Sequence, residues 1–188
     1  MNDLLHGPLL WYLNRSTGLV VLALLTATAV LGVVATGRGG RVLPRFVGQA
    51  LHRNLALWSV VLLVVHVATA VVDSYVDIRW WQAVVPWVGA TYLPLWLGLG
   101  TLALDLLLVV TVTSLLRARM KHRTWRLSHL LAYAAWAVAV GHGLGIGTDL
   151  RTAGWERSAV WASVALVAGI AVVRLVRVSA RRALGEAS

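Results

Sequence analysis

The stretch GQALHRNLALWSVVLLVVHVATAVV, residues 48–72, holds one formal charge, Arg53, in an otherwise apolar run. About 20 helical residues cross a hydrocarbon core of ~30 Å at ~1.5 Å per residue, so this run is long enough to span a membrane. Working outward, four more runs share its character, at 11–36, 93–116, 125–147 and 158–178. Pro8, Pro44, Pro86 and Pro94 fall outside these runs or at their rims, where a missing N–H costs no helical hydrogen bond. A bilayer core offers the backbone no water, and the runs lack the ~10-residue alternation of a membrane barrel. The expected fold is all-α, an integral membrane bundle of five transmembrane helices forming one domain over residues 1–188.

Composition agrees. Of 188 residues 59% are hydrophobic and 13% charged, and the mean hydropathy of +0.78 excludes an ordinary soluble domain. Seventeen Lys and Arg against seven Asp and Glu give a net charge of +10. The basic residues stand in short clusters between apolar runs, the pattern of membrane-protein loops and not of a nucleic-acid surface. With no cysteine, disulfides, zinc–thiolate sites, iron–sulfur clusters and thiol nucleophiles are excluded, and any metal must be held by nitrogen or oxygen. The N-terminal Met-Asn-Asp lacks a basic segment, and the first apolar run, Leu9 to about Val34, is too long for a cleaved signal. It is expected to be a mature span.

Arg38, Arg41, Arg45 and Arg53 follow the first span, Arg117, Arg119, Lys121, Arg123 and Arg126 follow the third, and Arg174, Arg177, Arg181 and Arg182 follow the fifth. These 13 fall on one side, against Arg15, Arg79, Arg151 and Arg157 on the other. The positive-inside rule then places the N-terminus outside and the C-terminus in the cytoplasm. Trp11, Trp80, Trp81, Trp87, Trp96, Trp125, Trp155 and Trp161 lie near the expected interfaces as an aromatic belt. The outer connection from Asp73 to Pro94 is the longest, and its Trp80, Trp81, Val84, Val85 and Trp87 read as a short amphipathic segment that lids whatever opens outward.

Four of six histidines fall inside spans, His52 and His66 on the second and His129 and His142 on the fourth. Ionisable groups inside a membrane helix are costly and mark function. Spans two and four run in the same direction, so His52 and His129 share one depth and His66 and His142 another, ~20 Å away. Facing imidazoles at two levels are what two stacked bis-histidine haems require. Fourteen residues return His66 to within ~40° of His52, but thirteen leave His142 ~140° from His129 on an ideal helix, so span four is expected to be distorted or turned. The run Gly141-His142-Gly143-Leu144-Gly145-Ile146-Gly147 offers a place for that distortion. Its reading as a phosphate loop fails, because no strand precedes it. The residues alone leave open another metal site, or a proton or ion pathway in a non-redox transporter. His6 and His122 are expected to be solvated. Asp105, twelve residues into the third span, reads as a helix–helix hydrogen bond or a proton or quinone site.

The stretches Leu51-His52-Arg53-Asn54-Leu55 through Val65-His66-Val67, and Thr124-Trp125-Arg126-Leu127-Ser128-His129-Leu130-Leu131-Ala132-Tyr133 through Gly141-His142-Gly143, resemble the ferric reductase-like transmembrane domain family. That family includes the membrane domains of NADPH oxidases and eukaryotic ferric reductases and the haem-binding membrane subunit of a bacterial methionine sulfoxide reductase system. The opening Trp11-Tyr12-Leu13-Asn14-Arg15-Ser16-Thr17-Gly18-Leu19 and the ending Gly147-Thr148-Asp149 are similar to its small bacterial members. The likeness covers residues 9–150. It implies two b-type haems, one on the pair His52 and His129, the other on His66 and His142. The oxidases and reductases continue into an FAD and NADPH domain, whereas this chain ends about ten residues past its last span, so flavin is expected only on a partner.

The resemblance implies a membrane component of an oxidoreductase, in the inner membrane of a bacterium. Bis-histidine iron has no open position, which favours electron transfer over substrate binding at the metal. A cytoplasmic flavoprotein or a membrane quinol would be the donor and an extracytoplasmic group the acceptor. Arg53 and Arg126 are the expected partners of the inner haem propionates, and Trp58, Tyr133 and Trp136 are candidates to pack on porphyrin.

Overall fold

A computed structural model describes residues 8–35, 44–73, 76, 78–147 and 154–186. It is all-helical, with no strand among the described residues. Five long helices follow in order: α1 Pro8–Ala35, α2 Arg45–Val72, α3 Pro94–Leu115, α4 His122–Ile146 and α5 Trp155–Glu186. Each is long and apolar enough to cross a membrane. Arg38 and Arg41 of the first basic cluster, together with His6, Thr148, Asp149 and Arg151, lie outside the described residues.

The helix ends follow from local chemistry. Pro44 immediately precedes α2 and Pro94 opens α3, positions where the ring's fixed φ is already helical and no N–H is needed. α5 runs on to Glu186, eight residues past the expected end of its span. α4 is continuous α-helix through the glycine run as far as Ile146, so the glycines do not interrupt it.

α1 packs on α2 and α3 on α4, forming two hairpins. Bonds between early residues of one helix and late residues of its partner make each hairpin antiparallel: Asn14 with His66, Thr28 with His52, and Trp96 with His142. The hairpins meet where α1 touches α4, and α5 lies against α1. α2 and α4 face one another across a gap and do not pack together. Trp136 Nε1 donates to Thr26 Oγ1 at 2.9 Å, tying α4 to α1. Leu22, Val140 and Val160 form a small core where α1, α4 and α5 converge.

The apolar surface faces outward. Leu57, Val64, Leu108, Leu130, Leu166 and Leu175 are all at least half exposed, an arrangement that water would penalise and lipid does not. The chain is a multi-pass membrane protein whose helices contact lipid. Among its described residues the connection from Asp73 to Pro94, whose end of the bundle is termed outer and the opposite end inner, holds one 3₁₀ turn, Trp80–Ala83, and otherwise turns and irregular backbone. Gln82 anchors it: its buried amide accepts from Arg79 N and donates to Gly89 O, while its backbone oxygen accepts from Thr101 of α3.

Candidate functional site

The hairpins bring the four membrane histidines together in the expected pairs. The ring centres of His52 and His129 are 6.1 Å apart, and those of His66 and His142 are 6.5 Å apart. The chain thus presents two imidazole pairs, one nearer each end of the bundle.

Each ring is gripped through Nδ1 by the other helix of its own hairpin. His52 Nδ1 lies 3.0 Å from the Thr28 carbonyl, His66 Nδ1 2.9 Å from that of Asn14, and His142 Nδ1 2.7 Å from that of Trp96. A carbonyl only accepts, so these three rings carry their proton on Nδ1 and keep the Nε2 lone pair free. His129 differs, because its Nδ1 lies 3.3 Å from the Ser114 hydroxyl.

A glycine recurs beside these grips, and it is at Gly100 and Gly18 that a Cβ would crowd the ring. The carbonyl of residue i in a helix already accepts from N–H of i+4, and the side chain at i+4 helps cover its second lone pair. Here that position is Gly18 after Asn14, Gly32 after Thr28 and Gly100 after Trp96. A Cβ would stand 2.6 Å from the His142 ring at Gly100, 3.0 Å from His66 at Gly18 and 3.5 Å from His52 at Gly32. At the corresponding place opposite His129 the residue is Ser114, fourteen after Gly100 just as Gly32 is fourteen after Gly18. The thirteen-residue spacing on α4 is therefore met at the histidine whose partner is a side chain.

The outer pair lines a cavity of about 490 Å³ between the hairpins, walled by Leu22, Leu63, Leu104 and Leu107. Ile78, Gln82 and Tyr92 of the outer connection also line it. Arg15, Asp73 and Glu156 bring charge to the same cavity, and Arg15 is the one Lys or Arg among its described lining residues. Its guanidinium sits 4.4 Å from the centre of the Trp11 ring. The inner pair is dressed differently. Trp125 stacks on His129 at 5.1 Å and 24°, and Arg117 lies over Trp125 at 4.4 Å. The Tyr133 hydroxyl reaches the Gly32 seat of His52.

A family model matches residues 9–149, about three quarters of the chain. The chain belongs to the DUF8596 family, a domain of unknown function. The DUF8596 match covers α1 to α4, and so both histidine pairs, and leaves α5 outside. Comparisons with curated proteins and with solved structures found no match.

Within this DUF8596 unit the donor set can be tested against haem. Two metal–nitrogen bonds of about 2.0 Å, with each nitrogen about 1.1 Å from the centre of its ring, set two axial imidazoles about 6.2 Å apart between centres. Both observed separations lie within a few tenths of an ångström of that value. Among the described residues no three His, Asp or Glu side chains cluster as around a bare metal ion. Two imidazoles per level are the axial set for a metal whose other positions a macrocycle fills. Trp125 Nε1, buried with no acceptor among the described residues, is an orphaned donor beside His129 of the kind a propionate carboxylate satisfies. The residues fit the group.

The other expected site residues fall elsewhere. Arg53 and Arg126 are exposed and make no hydrogen bond or ion pair with another described residue. Trp58 is 59% exposed, and Trp136 packs against the small core. Asp105 is half-buried and has no hydrogen-bond or ion-pair partner among the described residues. Leu104 and Leu107 line the outer cavity whereas Asp105 does not. Sequence reasoning missed Arg15, Trp125, Ser114 and the three seat glycines. The shared interval of fourteen between Gly18 and Gly32 and between His52 and His66 was the available signal.

Proposed function

We propose that the chain is a di-haem b-type membrane cytochrome that carries electrons across a bacterial inner membrane, in the manner of the ferric reductase-like domains its motifs resemble. The single observation that supports this most is the spacing of the two imidazole pairs, 6.1 and 6.5 Å between ring centres, with Nδ1 of every ring already engaged. His52 and His129 would hold the inner haem and His66 and His142 the outer, with the N-terminus outside and the C-terminus cytoplasmic. Haem held by these four histidines would supply one-electron redox chemistry.

The chain's own residues do the rest. The Nδ1 bonds fix ring orientation and raise the basicity of Nε2. The leucine walls of the outer cavity exclude water and suit a flat apolar ring. Arg15 is placed to neutralise a carboxylate at the outer site, and Trp125 with Arg117 does so at the inner one, a role the sequence alone assigns to Arg53 and Arg126. A cytoplasmic flavoprotein or a membrane quinol is the donor, and an extracytoplasmic group is the acceptor. Asp105, standing off the outer cavity, adds no support to the quinol.

The test is the visible spectrum of protein purified in mild detergent, oxidised and dithionite-reduced, with haem counted per chain. Two low-spin b-type haems in the wild type, falling to one in His66→Ala, are expected. Folded protein expressed with haem available yet showing no haem band overturns the reading and returns the histidines to a proton or transport pathway.

A further inference from the structure

Three histidines rest on backbone carbonyls opened by glycine, and the fourth rests on a hydroxyl. The exception is built into the helix. Gly18 and Gly32 on α1 repeat at fourteen residues, and on α3 the same interval leads from Gly100 to Ser114. The carbonyl that would serve His129 by that rule is Val110's, four residues before Ser114, and it is engaged by the Thr113 hydroxyl at 3.2 Å. Ser114 stands where glycine would have exposed that carbonyl, and its own Oγ lies 3.3 Å from His129 Nδ1.

The two kinds of partner differ electronically. An acceptor on Nδ1–H pushes the imidazole toward imidazolate, makes Nε2 a stronger donor and favours the oxidised metal. A backbone carbonyl at 2.7–3.0 Å does this at three rings. A hydroxyl at 3.3 Å is at the long limit of a hydrogen bond and does it weakly. The outer pair therefore has two strong acceptors behind it and the inner pair has one.

We propose that Ser114 is a positioning residue that sets the inner site apart: its hydroxyl accepts only weakly from His129 Nδ1–H where the other rings have a carbonyl, so the potential of the inner haem lies above that of the outer, and loss of the hydroxyl would raise it further. The inference rests on reading the pairs as axial ligands. It goes beyond that reading by naming the atom that makes the two levels unequal.

The test is a spectroelectrochemical redox titration of the full-length protein in detergent, for wild type, Ser114→Ala and Ser114→Thr, with haem counted per chain in each. Ser114→Ala removes the acceptor and is expected to shift one of two midpoint potentials upward while the other stays fixed. Ser114→Thr keeps a hydroxyl and is expected to restore the wild-type value. The shifted component is identified as the inner one by its absence in His52→Ala. Two haems whose potentials are both unmoved in Ser114→Ala, or Ser114→Thr behaving as Ser114→Ala, overturn the role of Ser114 and leave the haem assignment standing. Folded wild type with no haem overturns both.

Discussion

The outer and inner histidine pairs share a spacing and differ in almost everything around it. His66 and His142 face a cavity with leucine walls, a pinned outer connection and, among its described lining residues, one arginine, and both rest on carbonyls. His52 and His129 stand beneath a stack of Trp125 and Arg117, with one ring on a carbonyl and the other on a hydroxyl. The spacing of each pair is thus set by how the hairpins meet, while its environment is set locally. That separation can be broken experimentally at several strengths.

The largest effect is expected from the ligands. His66→Ala and His142→Ala should each remove the same haem, and the double variant should remove no more than either alone, whereas His52→Ala or His129→Ala should remove the other. Haem counted per chain, with the surviving midpoint potential identifying the site, checks this. Loss of both haems from every variant would mean that the levels are not independent.

The seats come next. Gly100→Ala puts a Cβ 2.6 Å from the His142 ring, and Gly32→Ala puts one 3.5 Å from His52. Overpacking a tight site costs about 1–3 kcal/mol, so Gly100→Ala should lower outer haem retention by roughly tenfold or more, measured by haem loss on dilution. Gly32→Ala, at ordinary contact distance, should be nearly silent at the inner site.

Much of the fold was legible because each helix declares itself over twenty or more consecutive residues such as 48–72, and lipid requires every backbone group to be paired internally. The histidine pairs were legible because depth in a membrane is arithmetic on residue number. Their seats were not, because which glycine of seventeen faces a histidine depends on how two helices are rotated against each other. The ideal-helix objection to His129 and His142 predicted a distorted or turned fourth span, and in the structure α4 stays helical through both histidines. Arg53 and Arg126 drew attention through sequence proximity to the histidines, yet both are exposed, whereas Arg15 lines the outer cavity from a different helix.

Smaller effects would sharpen the contrast. Arg15→Gln removes the one Lys or Arg among the described residues lining the outer cavity. A charge-assisted hydrogen bond contributes about 1.5–3 kcal/mol, so outer haem affinity should fall about tenfold. Arg53→Gln and Arg126→Gln, measured the same way, should change neither site. Smallest of all, Trp136→Phe deletes the bond to Thr26 and should cost about 1 kcal/mol of thermal stability, with the absorption spectrum unaltered.

One feature of the hairpins bears on how such a protein comes to exist. The Nδ1 bond of every membrane histidine closes within its own hairpin, His52 and His66 on α1, His129 and His142 on α3. Each half can therefore leave the ribosome, enter the bilayer and set its two rings before the other half is present, because membrane helices form first and associate afterwards. When the halves meet, four side chains are already oriented, and little entropy is left to lose on capturing whatever bridges them. Order of synthesis and order of assembly coincide, and the gap between α2 and α4 is the last part of the molecule to be completed.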